Sequence, residues 1–142
     1  MISIYTDGSY QTKTKRSGWG FCVVKDNEIV FEKCGWVSDK FTGSRNVTGE
    51  IQAAIEAVKW VVENKIRKVK IYYDYIGIAH WALGEWRAKK PVAQRYVEFI
   101  KPYINRLEFQ HIKGHSGNKY NERADYLAEK GKSGDKSIIY NR

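Results

Sequence analysis

The chain has 142 residues, 42% of them hydrophobic and 14% aromatic, which suits one globular domain with its own core, and we expect a single domain over residues 1–142. Its apolar runs are short and interrupted by charge, which excludes a membrane-spanning helix, and the N-terminus lacks the pattern of a signal peptide, so we expect a cytoplasmic protein. Lys and Arg number 25 against 16 Asp and Glu, a net charge of +9 that favours a polyanionic partner such as nucleic acid, although the same charge would also serve solubility alone.

An antiparallel meander of three strands is predicted for the first part of the chain. Residues 2–8 alternate apolar and polar side chains and indicate a first strand that ends at Asp7. A loop with a basic rim is expected over residues 8–18. Residues 19–25 and 28–37 are rich in Val, Phe, Ile and Trp, which favour two further strands.

The dipeptide Asp26-Asn27 predicts a two-residue hairpin turn between the second and third strands. In the register that this turn sets, Cys22 faces Phe31 and Cys34 faces Trp19. The two thiols would therefore not oppose each other, and we interpret both as reduced packing residues.

Apolar side chains recur at three- and four-residue steps after Gly49 and predict the clearest helix of the chain. The residues of this face are Ile51, Ala54, Ile55, Val58 and Val62. A fourth strand follows over residues 68–74, where apolar and polar residues alternate. A strand, a helix and a strand in this order indicate a parallel crossover, which places the fourth strand beside the first.

The rest of the chain is predicted to contain three more helices and a fifth strand. The helices cover residues 75–86, 92–104 and 121–130, and the strand covers residues 107–112. The tail 131–142 is rich in Gly, Ser and Lys and is expected to be loosely held, although the apolar residues 138–140 could dock.

Two aspartates are predicted at the carboxyl ends of neighbouring parallel strands, the edge of an open sheet where ligands bind. Asp7 ends the first strand and Asp74 ends the fourth, and adjacent strands lie about 4.8 Å apart. Like charges at this distance repel, and a bound cation would compensate for them. For either aspartate alone, a simple strand-ending turn is the better interpretation.

The position of Glu50 favours a cation site over the alternative in which Asp7 and Asp74 each simply end a strand in a turn. It lies four residues before Ala54 and eight before Val58, on the stripe predicted to pack against the sheet. An interaction with the helix dipole would contribute only about 0.3–1 kcal/mol, and a solvent-facing Glu would supply it equally well.

Two further candidates lie near the last helix. Asp125 flanks the packed face of Ala124 and Ala128, although it could also be an ordinary aspartate of a helix start. His115 lies in a glycine loop, Lys-Gly-His-Ser-Gly, where its imidazole could transfer a proton or could simply be exposed.

Four carboxylates without a Cys/His cluster suit a hard cation, Mg²⁺ or Mn²⁺, rather than zinc. Two such ions about 3.5–4 Å apart form the standard clamp for in-line phosphoryl displacement. A basic protein with this site is a nuclease candidate.

At this point the sequence resembles the type 1 ribonucleases H, in particular the bacterial ribonuclease HI family. The resemblance is carried by residues 4–9 (Ile-Tyr-Thr-Asp-Gly-Ser), residues 46–54, residues 71–74 and the segment from Lys113 through Asp125. It implies an α/β ribonuclease H-like fold with a five-stranded mixed sheet in the order 3-2-1-4-5 and helices on both faces.

The resemblance also implies an activity and a set of catalytic residues. Asp7 would bridge two Mg²⁺ ions, with Mn²⁺ as a possible substitute, and Glu50, Asp74 and Asp125 would complete their shells. His115 matches the family's loop histidine, which assists proton transfer or product departure. The implied reaction is endonucleolytic hydrolysis of the RNA strand of an RNA/DNA hybrid, leaving 5′-phosphate and 3′-hydroxyl ends.

Recognition of RNA requires contacts to its 2′-hydroxyl groups. We place backbone groups of Gly8 and Ser9, together with Asn46 and Glu50, along the RNA strand of a hybrid bound by a monomer. The DNA strand is expected to cross a basic and aromatic surface made of Trp81, Trp86, Arg87, Lys89 and Lys90. For the two tryptophans, a place in the core is an equal alternative.

The sequence departs from the family pattern in three places. Tyr75 follows the fourth-strand aspartate where a serine is common, and Thr48-Gly49 replaces a bulkier pair. The segment between Asp74 and His115 is also too short for the full basic handle of some members.

Other functions remain open at this stage. Integrases, transposases and junction-cutting nucleases share the fold, although they generally lack the Lys-Gly-His-Ser-Gly loop. A catalytically inactive nucleic-acid-binding module would bind a hybrid without cleaving it.

Overall fold

The structure, a computed structural model, describes residues 1–39, 43–114, 116–136 and 138–140. The strands are β1 (Ile2–Gln11), β2 (Arg16–Lys25), β3 (Glu28–Ser38), β4 (Val69–Tyr73), β5 (Leu107–His111) and β6 (Ile138–Tyr140). The helices are α1 (Asn46–Glu63), α2 (Gly77–Ala82), α3 (Pro91–Ile100) and α4 (Lys119–Lys132), and a 3₁₀ helix covers Lys101–Arg106.

The strands of the described residues form one mixed sheet in the order β5-β4-β1-β2-β3-β6. β1 pairs antiparallel with β2 and parallel with β4, and β4 pairs parallel with β5. The predicted order 3-2-1-4-5 is therefore confirmed. β6 adds a short strand at the edge, where residues 138–140 pair with residues 31–33 of β3. Part of the segment that the sequence predicts to be loosely held is thus paired with the sheet.

The β1–β2 hairpin is longer than the sequence predicts. β1 continues to Gln11 and β2 begins at Arg16, so the predicted loop over residues 8–18 shrinks to residues 12–15. The polar residues and Gly8 and Gly18 in this segment look like turn signals. In the structure they are strand residues instead.

The turn between β2 and β3 is confirmed, because Asp26 and Asn27 have φ angles of 53° and 62°, as a primed two-residue turn requires. The predicted register beyond this turn is wrong, because a bulge between Val23 and Val24 shifts the pairing of β2 with β3 by one residue. Cys22 consequently faces Glu32 rather than Phe31, and Cys34 faces Gly20 rather than Trp19. Both cysteines are buried and free, as predicted.

Helices cover both faces of the sheet, as predicted. Alternate strand residues point to opposite sides, so Ile4 and Phe21 pack into a large cluster with α1, α2 and α3. Their neighbours Tyr5 and Cys22 pack into a smaller cluster with Leu127 of α4.

The two middle helices are shorter than predicted. α2 covers only Gly77–Ala82 of the expected 75–86. α3 begins at Pro91, where a missing N–H costs nothing, and ends at Ile100 instead of 104. The chain continues as a 3₁₀ helix because Pro102 cannot donate an α-helical hydrogen bond. None of the described helices is long and apolar enough to span a membrane.

Glycines let α1 and α4 approach the β1–β2 hairpin closely. A Cβ on Gly8 would collide with the backbone of Gly49 and Glu50 in α1, and a Cβ on Gly18 would collide with the backbone of Ala128 and Lys132 in α4. The missing side chains therefore set the distance between the sheet and the two helices that carry Glu50 and Asp125.

We predict that Gly18→Ala lowers the free energy of unfolding by about 1–3 kcal/mol, because the new methyl group meets backbone atoms that cannot rotate away. Urea unfolding measures this change. Gly77→Ala is the control, since its Cβ meets the side-chain rings of Tyr75 and Trp81, which can move, and no backbone atom among its nearest neighbours. We expect a change within about 1 kcal/mol. Equal stability of Gly18→Ala and the wild type would contradict the close approach.

Candidate active site

Asp7 lies inside β1, not at its end as the sequence predicts. Its partner in β2 is Gly20, whereas the parallel pairing of β1 with β4 stops at Tyr5 and Tyr72. Asp7 therefore lies just beyond the point where the two parallel strands separate. Its Oδ1 accepts a hydrogen bond of 2.9 Å from the N–H of Gly8.

Asp74 follows the last residue of β4 directly, as predicted. Its Oδ1 accepts a hydrogen bond of 3.2 Å from the N–H of Gly114, and its carbonyl oxygen accepts one of 2.7 Å from His111 Nε2. The carboxylate is thus tied to the loop that follows β5, and the backbone of Asp74 is tied to the end of β5. His115, the predicted catalytic residue of this loop, lies outside the described residues.

Glu50 is buried in the first part of α1, with 3% of its surface exposed. Its Oε1 accepts a hydrogen bond of 3.2 Å from the N–H of Gly8, the same N–H that serves Asp7. Its Oε2 is buried and has no hydrogen-bond partner among the described residues. A buried carboxylate oxygen without a partner is costly unless a cation or proton satisfies it.

The start of α1 is held by Asp39, a residue that sequence reasoning missed. Asp39 is buried, and its carboxylate accepts hydrogen bonds of 2.7 Å from the N–H of Arg45 and from Thr48 Oγ1. The only sequence signal is an acidic residue ahead of a helix start, which is common in loops.

The predicted carboxylates converge. Asp7, Glu50 and Asp74 each offer an oxygen, and these three atoms lie within 4.8 Å of one another. Asp125, on α4, has its carboxyl group beside that of Asp7. All four line a cavity of about 130 Å³, together with Gly8, Asn46, Gly114, Asn121 and Glu122. Sequence reasoning did not identify the last three of these residues.

The cluster favours protons when no cation is bound. Burial raises the pKa of Asp7 to about 6, and the carboxyl group of Asp125 adds to the rise, against hydrogen bonds from Glu50 and Gly8 that lower it. Burial also raises the pKa of Glu50 well above its usual value, and the charges of Asp7 and Asp74 raise it further. A divalent cation would compensate for the same repulsion.

The residues present fit such a cation. The donor set consists of carboxylate oxygens, with no Cys or His among the residues of the described cluster, which matches Mg²⁺ or Mn²⁺. The unpartnered Oε2 of Glu50 supplies an independent sign, because a cation in the cavity would satisfy it.

Comparison with known proteins assigns the family. The sequence profile of the RNase H family matches residues 1–133. The chain belongs to the ribonuclease H family. The ribonuclease H of Chromobacterium violaceum is 33% identical over 148 residues, which cover 92% of this chain and 93% of that protein. The sequence-based prediction of a ribonuclease H, a hydrolase of phosphodiester bonds, is confirmed.

Solved ribonuclease H structures share the fold. RNase H1 from the archaeon Halobacterium salinarum superposes with a TM-score of 0.75 at 20% identity and covers 92% of this chain and 96% of that chain. LC11-RNase H1, crystallised with an RNA/DNA hybrid, gives a TM-score of 0.74 at 20% identity, with 94% and 97% covered.

The basic and aromatic residues predicted from the ribonuclease H resemblance line one groove of about 690 Å³ next to α2. They are Trp81, Trp86, Arg87, Lys89 and Lys90. Trp86 is 37% exposed, and Trp81 packs partly against the core. The alternative of a core position therefore applies in part to Trp81 and not to Trp86.

The departures from the ribonuclease H pattern have structural explanations. Tyr75 packs its ring 5.7 Å from Trp81 and 6.4 Å from Trp86, so it belongs to the aromatic wall of the groove. Gly49 leaves room for the carbonyl oxygen of Gly18, which a bulkier residue would displace.

The raised pKa of Asp7 gives a prediction for the metal-free protein. A raised acid pKa in the folded state stabilises the protein below the unfolded value of 3.8, and this contribution is lost as the pH rises through about 6. Asp7→Asn should therefore be more stable than the wild type at pH 7.5 in chelator, by on the order of 1–3 kcal/mol, and the gain should shrink at pH 4.

Urea unfolding at the two pH values tests this difference, and Mg²⁺ at pH 7.5 should stabilise the wild type selectively. An Asp7→Asn variant that is no more stable than the wild type in chelator at pH 7.5 would show that the carboxylates do not repel one another as the geometry implies.

Proposed function

We propose that the protein is an endoribonuclease that hydrolyses the RNA strand of RNA/DNA hybrids with two divalent ions, Mg²⁺ being the natural choice, and leaves 5′-phosphate and 3′-hydroxyl ends. The observation that carries the proposal is the convergence of four carboxylates on one cavity, in which Glu50 Oε2 lacks a hydrogen-bond partner among the residues that the structure describes. The hybrid complex of LC11-RNase H1 supports the choice of substrate.

The position of Asp7 suits a ligand shared by both ions. Its carboxyl group lies beside those of both Glu50 and Asp125, and we infer that Glu50 and Asp74 would complete one part of the site and Asp125 the other. Two divalent ions, when bound, would supply Lewis acidity and neutralise charge at the scissile phosphate. The glycine-lined packing of α1 and α4 holds the carboxylates in place before substrate arrives.

Groups around the cavity are placed to recognise RNA. Asn46 lies at the start of α1 on the cavity wall, next to Gly8 of β1, and Ser9 follows Gly8 in that strand. These groups would contact 2′-hydroxyl groups near the scissile phosphate. His115, whose loop begins at the Gly114 bond to Asp74, would assist proton transfer or product departure.

The groove beside α2 would receive the DNA strand. Lys89 and Lys90 are exposed at its rim and would pair with phosphates, while Trp86 offers a face for stacking. All four carboxylates come from one chain, and we propose that a cytoplasmic monomer is the active unit.

Cleavage of labelled substrates tests the activity. With Mg²⁺ we expect the protein to cut the RNA of an RNA/DNA hybrid and to leave duplex RNA and duplex DNA intact. Asp74→Asn should lose more than the roughly 10–100-fold that removal of an outer-shell partner costs, because a direct ligand is weakened. If the wild type binds the hybrid but does not cleave it, the protein is a nucleic-acid-binding module and not an enzyme.

Salt dependence tests the groove. Lys89→Ala/Lys90→Ala should weaken hybrid binding and reduce the slope of log K against log salt by about two, since two phosphate contacts are lost. Single-turnover cleavage at saturating enzyme should change little. The control variant Arg67→Ala/Lys68→Ala removes the same charge just before β4, at the end of the strand away from Asp74. We expect its slope of log K against log salt to match that of the wild type. An equal reduction in both variants would assign the effect to net charge alone.

A further inference from the structure

A hydrogen bond outside the carboxylate cavity joins the two elements that carry Asp7 and Asp125. Ser9 Oγ in β1 donates to Glu129 Oε1 in α4 at 2.7 Å. Ser9 is buried, with 9% of its surface exposed. The other oxygen of Glu129 pairs with Lys132 Nζ at 2.6 Å. The carboxylate of Glu129 is thus held from two sides.

The spacing of these residues matches that of the site. Ser9 follows Asp7 by two residues, so both side chains leave the same face of β1 about 6.6–6.8 Å apart. Glu129 follows Asp125 by four residues, so both lie on the same face of α4 about 6 Å apart. Asp7–Asp125 and Ser9–Glu129 are therefore two successive side-chain pairs between β1 and α4.

One of these two side-chain pairs is repulsive and the other is attractive. The carboxyl group of Asp125 lies beside that of Asp7, and like charges at this distance repel each other. Ser9 donates to a carboxylate, a charge-assisted bond that is stronger than a neutral one. Burial raises the pKa of Glu129, but the hydrogen bonds from Lys132 and Ser9 outweigh it and leave this pKa below its usual value. Glu129 is therefore an anion at neutral pH.

Other side-chain hydrogen bonds of α4 reach different strands. Arg123 forms two hydrogen bonds with the buried Glu32 of β3, at 2.7 and 2.8 Å. Cys22 of β2 donates to the carbonyl oxygen of Tyr120 at 3.6 Å. Outside the carboxylate cavity, the side-chain hydrogen bond described between α4 and β1, the strand of Asp7, is that of Ser9. The ring of Tyr120 in α4 also packs against β1, with its centroid 5.3 Å from that of Tyr5.

We propose that Ser9 and Glu129 are positioning residues of the metal site, whose hydrogen bond holds Asp125 beside Asp7 within the close approach that the glycines allow. The inference rests on the proposed function, because it assumes that these two carboxylates bind divalent ions. In this proposal the hydroxyl group of Ser9 binds Glu129, and the backbone of Ser9 stays available for contact with the RNA strand.

Binding of Mn²⁺ to the 142-residue chain without nucleic acid, measured by electron paramagnetic resonance, tests the proposal apart from cleavage. Ser9→Ala and Glu129→Ala should each weaken Mn²⁺ binding by about tenfold, the range for removal of an outer-shell partner. The double variant should bind no more weakly than either single variant, because all three lack the same bond.

Two further variants separate the hydrogen bond from charge. Glu129→Gln keeps an oxygen acceptor for Ser9 in a weaker, neutral hydrogen bond, and it should bind Mn²⁺ more tightly than Glu129→Ala. Lys132→Ala removes the ion pair but leaves the Ser9 bond, and we expect it to match the wild type. Circular dichroism and urea unfolding confirm that each variant is folded.

Three results would overturn the proposal: unchanged Mn²⁺ binding in folded Ser9→Ala and Glu129→Ala, additive losses in the double variant, or equal losses in Glu129→Gln and Glu129→Ala. An Asp74→Asn control keeps this outcome distinct from failure of the proposed function. If the wild type binds no Mn²⁺ or Asp74→Asn binds it equally well, the carboxylate site itself is refuted, and the positioning role with it.

Discussion

The close packing of α1 and α4 against the β1–β2 hairpin is the constraint on which the site depends. Glu50 reaches Asp7 because Gly8 and Gly49 let the helix backbone lie against β1. Asp125 reaches the same residue from the other face, where Gly18 does the same for α4. Two helices on opposite faces thus deliver carboxylates to one strand. Side chains larger than hydrogen at these positions would separate the ligands before they changed the fold.

This packing places the carboxylates close together in a buried site, where water screens their repulsion poorly. Burial and mutual repulsion raise the pKa values of Asp7 and Glu50, so the metal-free protein gives up stability to keep the site formed. Such strain persists only when the surroundings over-determine it. Here the surrounding contacts include Asp39 at the start of α1 and Arg123 on α4. A divalent cation removes the repulsion, which links metal binding to stability.

Periodic patterns in the sequence predict the neighbours of β1 and the convergence of the carboxylates, whereas the full strand order follows from the resemblance to the ribonucleases H. Helical phase turns Glu50 toward the sheet, and a parallel crossover brings Asp74 beside Asp7. The length of the β1–β2 hairpin was mispredicted because Gly18 resembles a turn residue although it serves helix packing. The bulge near Val23 has no signal in the sequence. The Ser9–Glu129 bond joins polar residues 120 positions apart, which no local pattern can indicate.

The central claim is that the four carboxylates form one site for two divalent ions. A crystal structure with Mn²⁺ and an RNA/DNA hybrid that resists hydrolysis tests it most directly, because anomalous scattering locates each ion. The account predicts two Mn²⁺ ions about 3.5–4 Å apart, both in contact with Asp7 and completed by Glu50, Asp74 and Asp125. Mn²⁺ bound away from Asp7, or a hybrid complex that holds no Mn²⁺ in this cavity, would contradict it.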